Sequence, residues 1–143
     1  MKGAAGVLSC ALALASCATD KPMQGDVERL EARLSEQMPS GAWPLQTYVR
    51  YYANTAYVSE DDLPFTTIAE PGIAPGERLL ITGVLVQPGI WEERRPGIHL
   101  VSKDELPFAV HLGCRAVNVA YDPAAREIVG VWCNVEMPPP PPA

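Results

Sequence analysis

The residues of this chain best suited to metal or redox chemistry are two histidines and four cysteines, and their spacing limits both. With only His99 and His111, a three-histidine zinc site cannot be built. The run His111-Leu112-Gly113-Cys114 has ligand-like spacing, but Cys114 has a competing partner in Cys133. That pair is far from Cys-x-x-Cys spacing and has no evident neighbouring base, which argues against a reactive dithiol. The serines occur in no Gly-x-Ser-x-Gly context, and no Gly-x-Gly-x-x-Gly or phosphate loop is found. Glu60-Asp61-Asp62 lacks the alternating ligand spacing of a calcium loop and reads as a solvated turn. Glu92-Glu93-Arg94-Arg95 reads as a charged loop tip, a place where a partner could dock. No catalytic residue, metal or cofactor is assigned on these grounds, and the chain is read as non-enzymatic. A small envelope enzyme acting on cell-wall or small-molecule substrates is the competing reading, since any two acids can meet in space.

One aromatic stretch carries a binding expectation. Tyr48, Arg50 and Tyr52 alternate along Thr47–Ala53, so on a strand they share one face. If Val49 and Tyr51 face the core, those three form an exposed row of the residue types enriched at binding hot spots. The competing reading is ordinary packing on a sheet face.

These side chains need elements to position them. Val27, Leu30, Leu34 and Met38 form an apolar stripe at helical spacing, which predicts an amphipathic helix over 26–38, capped by Asp26 and ending before Pro39. Thr47–Ala53 is rich in Tyr and Val and is read as a strand, although Leu45, Val49, Tyr52 and Ala56 also fit a helix. Glu77–Gln87 is bounded by Pro-Gly on both sides and is the clearest strand. Ile98–Val101 is a shorter one. Cys114–Tyr121 and Glu127–Val135 are read as a hairpin around Asp122-Pro123-Ala124-Ala125.

Pairing Tyr121 with Arg126 across that turn would set Cys114 directly opposite Cys133. A disulfide is therefore expected there, worth about 3 kcal/mol on a chain-entropy basis. The fold expected is α+β: an N-terminal helix and a small, mostly antiparallel sheet of four to five strands with one disulfide. The segment Val58–Phe65 resembles Val101–Phe108, with six identities in eight positions. A small duplication would explain this. So would a local device used twice, a Ser cap with first-turn acids stopped by Pro.

A length of 143 residues supports a single domain. A net charge of −6 argues against nucleic-acid binding, which needs a basic footprint. A hydrophobic content of 48% argues against wholesale disorder.

The first residues speak to compartment. Met1-Lys2 is a short basic start, and the apolar run Gly3–Ala15 has the length of a signal-peptide core rather than a spanning helix. It ends in Leu14-Ala15-Ser16-Cys17, which resembles the lipobox of bacterial lipoproteins. The resemblance implies cleavage before Cys17 and acylation of that residue, so that the chain is held to the membrane by acyl chains on Cys17. Ala18, where an inner-membrane retention signal often has Asp, then points to the outer membrane, facing the periplasm. An ordinary secretory cut after Ala13-Leu14-Ala15 is the alternative. Cleavage before Cys17 removes Lys2 and Cys10 and leaves Cys114 and Cys133 as a pair in an oxidising compartment. The organisation read from sequence is a signal peptide 1–16, a lipidated tether 17–25, the helix 26–38, a β-rich domain 39–136 and a Pro-rich tail 137–143. An envelope protein is the expected partner, and no functional family is recognised beyond the lipoprotein class.

Overall fold

The computed structural model describes residues 21–57, 78–108, 111–134 and 142. The leader, the lipobox, the Glu60-Asp61-Asp62 turn, the first copy of the repeated segment and all of the tail but Pro142 lie outside the described residues. Within them the chain forms one α-helix and a five-stranded mixed sheet pinned by one disulfide, a small α+β fold.

Helix α1 spans Gln24–Gln37. It begins three residues earlier than a helix capped by Asp26 would, because Met23 is the N-cap, with no side-chain cap bond. The Met23 carbonyl instead accepts from the Asp26 and Val27 amides at 3.1 and 3.2 Å. Asp26 sits in the first turn, where its charge favours the helix dipole, and pairs with Arg29. Val27, Leu30 and Leu34 are buried, while Met38, half-buried, has become the C-cap before Pro39. Each of those three side chains contributes roughly 1.5–3 kcal/mol of burial.

The strands are β1 (Val49–Tyr57), β2 (Arg78–Val86), β3 (Gly97–Leu100), β4 (Ala116–Asp122) and β5 (Glu127–Cys133). Their order across the sheet is β3-β1-β2-β4-β5. Every neighbouring pair is antiparallel except β1–β3, which is parallel. The aromatic stretch therefore does form a strand, but later than expected. Leu45–Thr47 is a single 3₁₀ turn, and the ladder starts at Val49.

The sheet is buried on both faces. Tyr48, Tyr52, Ile81, Leu85, Val117, Val119 and Tyr121 meet the stripe of α1 on one side. Val49, Tyr51, Leu80, Val84, Val86 and Trp132 build a second cluster on the other, joined by Val101 and Leu106 after β3.

The disulfide joins Cys114 and Cys133 with a Cα separation of 4.5 Å, but the register expected to produce it is wrong. Asp122 pairs with Glu127 rather than Tyr121 with Arg126, and Cys133 lies opposite Val117. Two features absorb the difference. The turn takes in Arg126, held at a φ of 56°, while Asp122 Oδ1 accepts from the Ala124 and Ala125 amides. A bulge then inserts Val129 between Ile128, opposite Tyr121, and Gly130, opposite Ala120. Cys114 precedes β4, in a 3₁₀ turn over Gly113–Arg115, and is brought to Cys133 by that turn rather than by the ladder.

Where Ser102 precedes the 3₁₀ turn Lys103–Glu105, its amide and hydroxyl both donate to the Glu105 carboxylate at 2.9 Å. These bonds hold the Glu105 pKa below its usual value. This second copy of the repeated segment uses the local capping chemistry read from its sequence.

One close approach fixes the sheet. A Cβ on Gly83 would lie 2.7 Å from Cε1 of Tyr52 and 3.1 Å from Cβ of Val119. Gly83→Ala is expected to cost about 1–3 kcal/mol by displacing the buried Tyr52 ring. Chemical denaturation of the variant, with tyrosine fluorescence as the probe, checks this. An unchanged midpoint would show that the ring can move.

Candidate functional site

Strand β1 alternates its side chains between the two cores. Tyr48, just before the strand, and Arg50 and Tyr52 within it point to the helix side, whereas Val49, Tyr51 and Ala53 point away. The expected Tyr48-Arg50-Tyr52 row thus exists as a shared face, but it is not an exposed surface. Tyr48 and Tyr52 are 0% exposed and Arg50 is 9% exposed. The premise fails because both faces of the sheet are covered, so core-facing Val49 and Tyr51 do not leave the opposite face to solvent.

The three residues tie elements together. Arg50 Nε donates to Glu31 Oε1 of α1 at 2.9 Å, and its Nη1 donates to the Leu45 carbonyl at 3.1 Å. The Tyr52 hydroxyl donates to the same Glu31 oxygen. The Tyr48 hydroxyl donates to the Cys114 carbonyl at 2.6 Å and accepts from the Trp43 amide at 3.0 Å. It thereby fixes the turn that carries the disulfide. Helix spacing exposes the stripe of α1 but gives no sign that Glu31, beside it, enters the interface.

On the opposite face, Tyr51 lies against the β2–β3 connection. Its ring centroid is 5.5 Å from that of His99, and the Arg94 guanidinium carbon lies 5.5 Å above it. Arg94 is paired with Glu92 at 2.6 Å, so the charged loop tip is folded onto the sheet. Among the described residues the Tyr51 hydroxyl is the buried polar side-chain atom without a hydrogen-bond partner. Trp91 and Arg95 remain exposed at this tip.

A mostly apolar notch of about 270 Å³ lies where the first turns of α1 pass strand β3. Gln24, Val27, Glu28, Ile98 and Leu100 line it. Ile98 is 42% exposed, on a strand that among the described residues has a neighbouring strand on one side only. The sequence signal for this site was thin: a short apolar segment after Pro96-Gly97, with nothing to say that it forms an edge.

No group of three or more His, Cys, Asp or Glu side chains that could hold a metal occurs among the described residues. His111 is exposed, and Cys114 of the zinc-like spacing is held in the disulfide. In comparisons with known proteins, no family model, curated protein or solved structure matches this chain.

The helix–sheet junction generates two expectations. Glu31→Leu leaves the Arg50 guanidinium buried without its carboxylate and should cost about 3–5 kcal/mol. The double variant Glu31→Leu/Arg50→Met should recover most of that loss, as denaturant midpoints will show. The second expectation concerns alkali. Burial, then the Glu31 charge and hydrogen bond, push the Tyr52 phenol well above its ordinary value of 10.0. Burial also raises Tyr48 and Tyr51.

A raised folded-state pKa means that the unfolded chain releases these protons first. Stability is therefore intact below pH 10 and falls as pH climbs above it. Phenolate absorbance should appear together with loss of structure in an alkaline titration. Smooth ionisation of the folded protein near pH 10 would contradict the burial of these phenols.

Proposed function

We propose that this chain is a lipid-anchored envelope protein whose domain binds a partner rather than transforming a substrate. The observation that carries the anchor is the ordered leader: Lys2, the apolar run Gly3–Ala15, then Leu14-Ala15-Ser16-Cys17. The Cys114–Cys133 disulfide supports an oxidising compartment, where such bonds persist. No helix among the described residues is long and apolar enough to cross a membrane.

The position of the fold in the chain adds a physical constraint. The described domain starts at Lys21, whose carbonyl accepts from Asn54 Nδ2 at 3.0 Å and is thus fixed to β1. Four residue steps separate Cys17 from Lys21, a reach of at most about 14 Å. An acylated Cys17 would hold the domain close to the bilayer surface, facing the periplasm, with outer-membrane placement favoured by Ala18. The binding role is supported by strand β3, which among the described residues has a strand neighbour on one side only, and by the apolar notch beside it.

The test is intact-mass spectrometry of the protein extracted from membranes without reduction. The expected mass corresponds to a chain beginning at Cys17, carrying acyl chains and two hydrogens short for the disulfide. Cys17→Ala should move the protein to the soluble fraction or leave it unprocessed. An unmodified wild-type chain found in the soluble fraction would overturn the anchor.

A further inference from the structure

We propose that the notch between α1 and β3 seats one of the acyl chains carried by Cys17. The inference rests on the reading of this chain as a lipid-anchored protein and says where part of the anchor lies. It begins with the walls of the notch. Arg50 is in register with Ile98 and Tyr52 with Leu100, and the side chains of Arg50 and Tyr52 both reach α1. In-register neighbours share a face of the sheet, so Ile98 and Leu100 turn toward the helix. There they line the notch with Gln24, Val27 and Glu28 from the first turns of α1.

One end of the notch is the end at which the anchor enters. Asn54 follows Tyr52 by two residues on the same face of β1, and its side chain holds the Lys21 carbonyl. Lys21 is thereby placed past the Leu100 end of the notch, just ahead of Gln24. Cys17 lies within about 14 Å of Lys21 along the tether. An acyl chain attached there can turn back past Lys21 and lie between α1 and β3, running from Leu100 toward Ile98.

The chemistry of the notch suits an uncharged occupant. Val27, Ile98 and Leu100 are apolar, Glu28 is acidic, and Lys21 at the near end is basic. Charges of both signs so close select no ionic ligand, whereas an acyl chain needs neither a charge nor a hydrogen bond. Moving from lipid to the notch costs the chain little, because both surroundings are apolar. The move takes the half-exposed Ile98 side chain out of water, and that burial drives it. Stable attachment needs more than one chain in the bilayer, so the notch takes only one. The seated chain touches the helix-facing side chains of β3 and does not compete with a partner along the outer side of that strand.

The experiment is nuclear Overhauser spectroscopy on the mature lipidated protein, labelled with ¹³C at its Ile, Leu and Val methyl groups. The protein is extracted into fully deuterated zwitterionic detergent and washed free of native lipid, so the acyl protons observed are those on Cys17. The Ile98 and Leu100 methyls should show cross-peaks to acyl methylene protons. Leu79, 48% exposed on β2, is the control and should show none. Ile98→Glu should abolish the contacts at Leu100. Thermal melting and an intact Cys114–Cys133 disulfide check that this variant is folded; if it is not, the comparison of Ile98 with Leu79 in the wild type decides.

Cross-peaks as strong at Leu79 as at Ile98 would show acyl contact without a seat and overturn the proposal. So would Leu100 contacts that survive Ile98→Glu in the folded variant, or an absence of acyl contacts at Ile98 and Leu100. Cross-peaks from these methyls to Ala18, Thr19 or Asp20 in place of acyl protons would make the tether itself the occupant and overturn it as well. Intact mass of the same sample separates the two readings. An unlipidated chain sinks the anchor and this inference with it, whereas a lipidated chain without these contacts sinks only the inference.

Discussion

The Glu31 carboxylate is the point on which the helix and the sheet agree. It accepts from Arg50 and from Tyr52, two residues of one strand face, and so fixes both the rotation of α1 and its height along β1. Apolar contacts alone would tolerate a helix slid or rolled by part of a turn, because burial has no direction. A shared carboxylate oxygen does not tolerate that. The pair is shielded, with Arg50 and Glu31 side chains 10% and 14% exposed, so its bonds compete little with water. Arg50 also reaches the Leu45 carbonyl, which extends the same node into the link that follows the helix.

Around this node the sheet works as a middle layer. One core lies under α1, and a second lies on the far face. A strand buried on both sides gains stability from every residue, but it loses the spare face on which a soluble sheet usually displays function. Contact with other molecules is left to loops and edges. Gly83 marks how tightly the helix-side layer is filled, since the Tyr52 ring occupies the space where a side chain would stand.

The two-sided burial also explains which parts of the structure could be read from sequence. Arg78–Val86 was legible because its apolar run is long and bracketed by Pro-Gly, and α1 because its stripe is spaced at three and four. The side on which Tyr48, Arg50 and Tyr52 would sit could be derived from alternation. Whether that side is wet could not, because the answer depends on a helix that leaves no local mark on β1. The cysteine pair was legible from number and from the position of Asp122-Pro123 between two strand-like runs. Its register was not, because a left-handed Arg126 and a bulge at Val129 both shift the count, and neither Pro123 in the turn nor Gly130 beside the bulge fixes by how much. The Glu31–Arg50 contact spans 19 residues and has no spacing rule. Edge strand β3 was readable as a strand, but its place at the edge follows from the parallel pairing with β1, which only the full topology supplies.

The bond from Asn54 to the Lys21 carbonyl has a mechanical meaning. Tension on the segment ahead of Lys21 does not first reach the helix. It reaches β1, a strand laddered on both sides, through a side chain fixed within that strand. While the clamp holds, load passes into the sheet and α1 stays slack on its core. Once it yields, the pull acts on the end of a helix, which can peel turn by turn away from Glu31. The fold therefore has a stiff first response and a soft second one, separated by release of the contact between Asn54 and the Lys21 carbonyl.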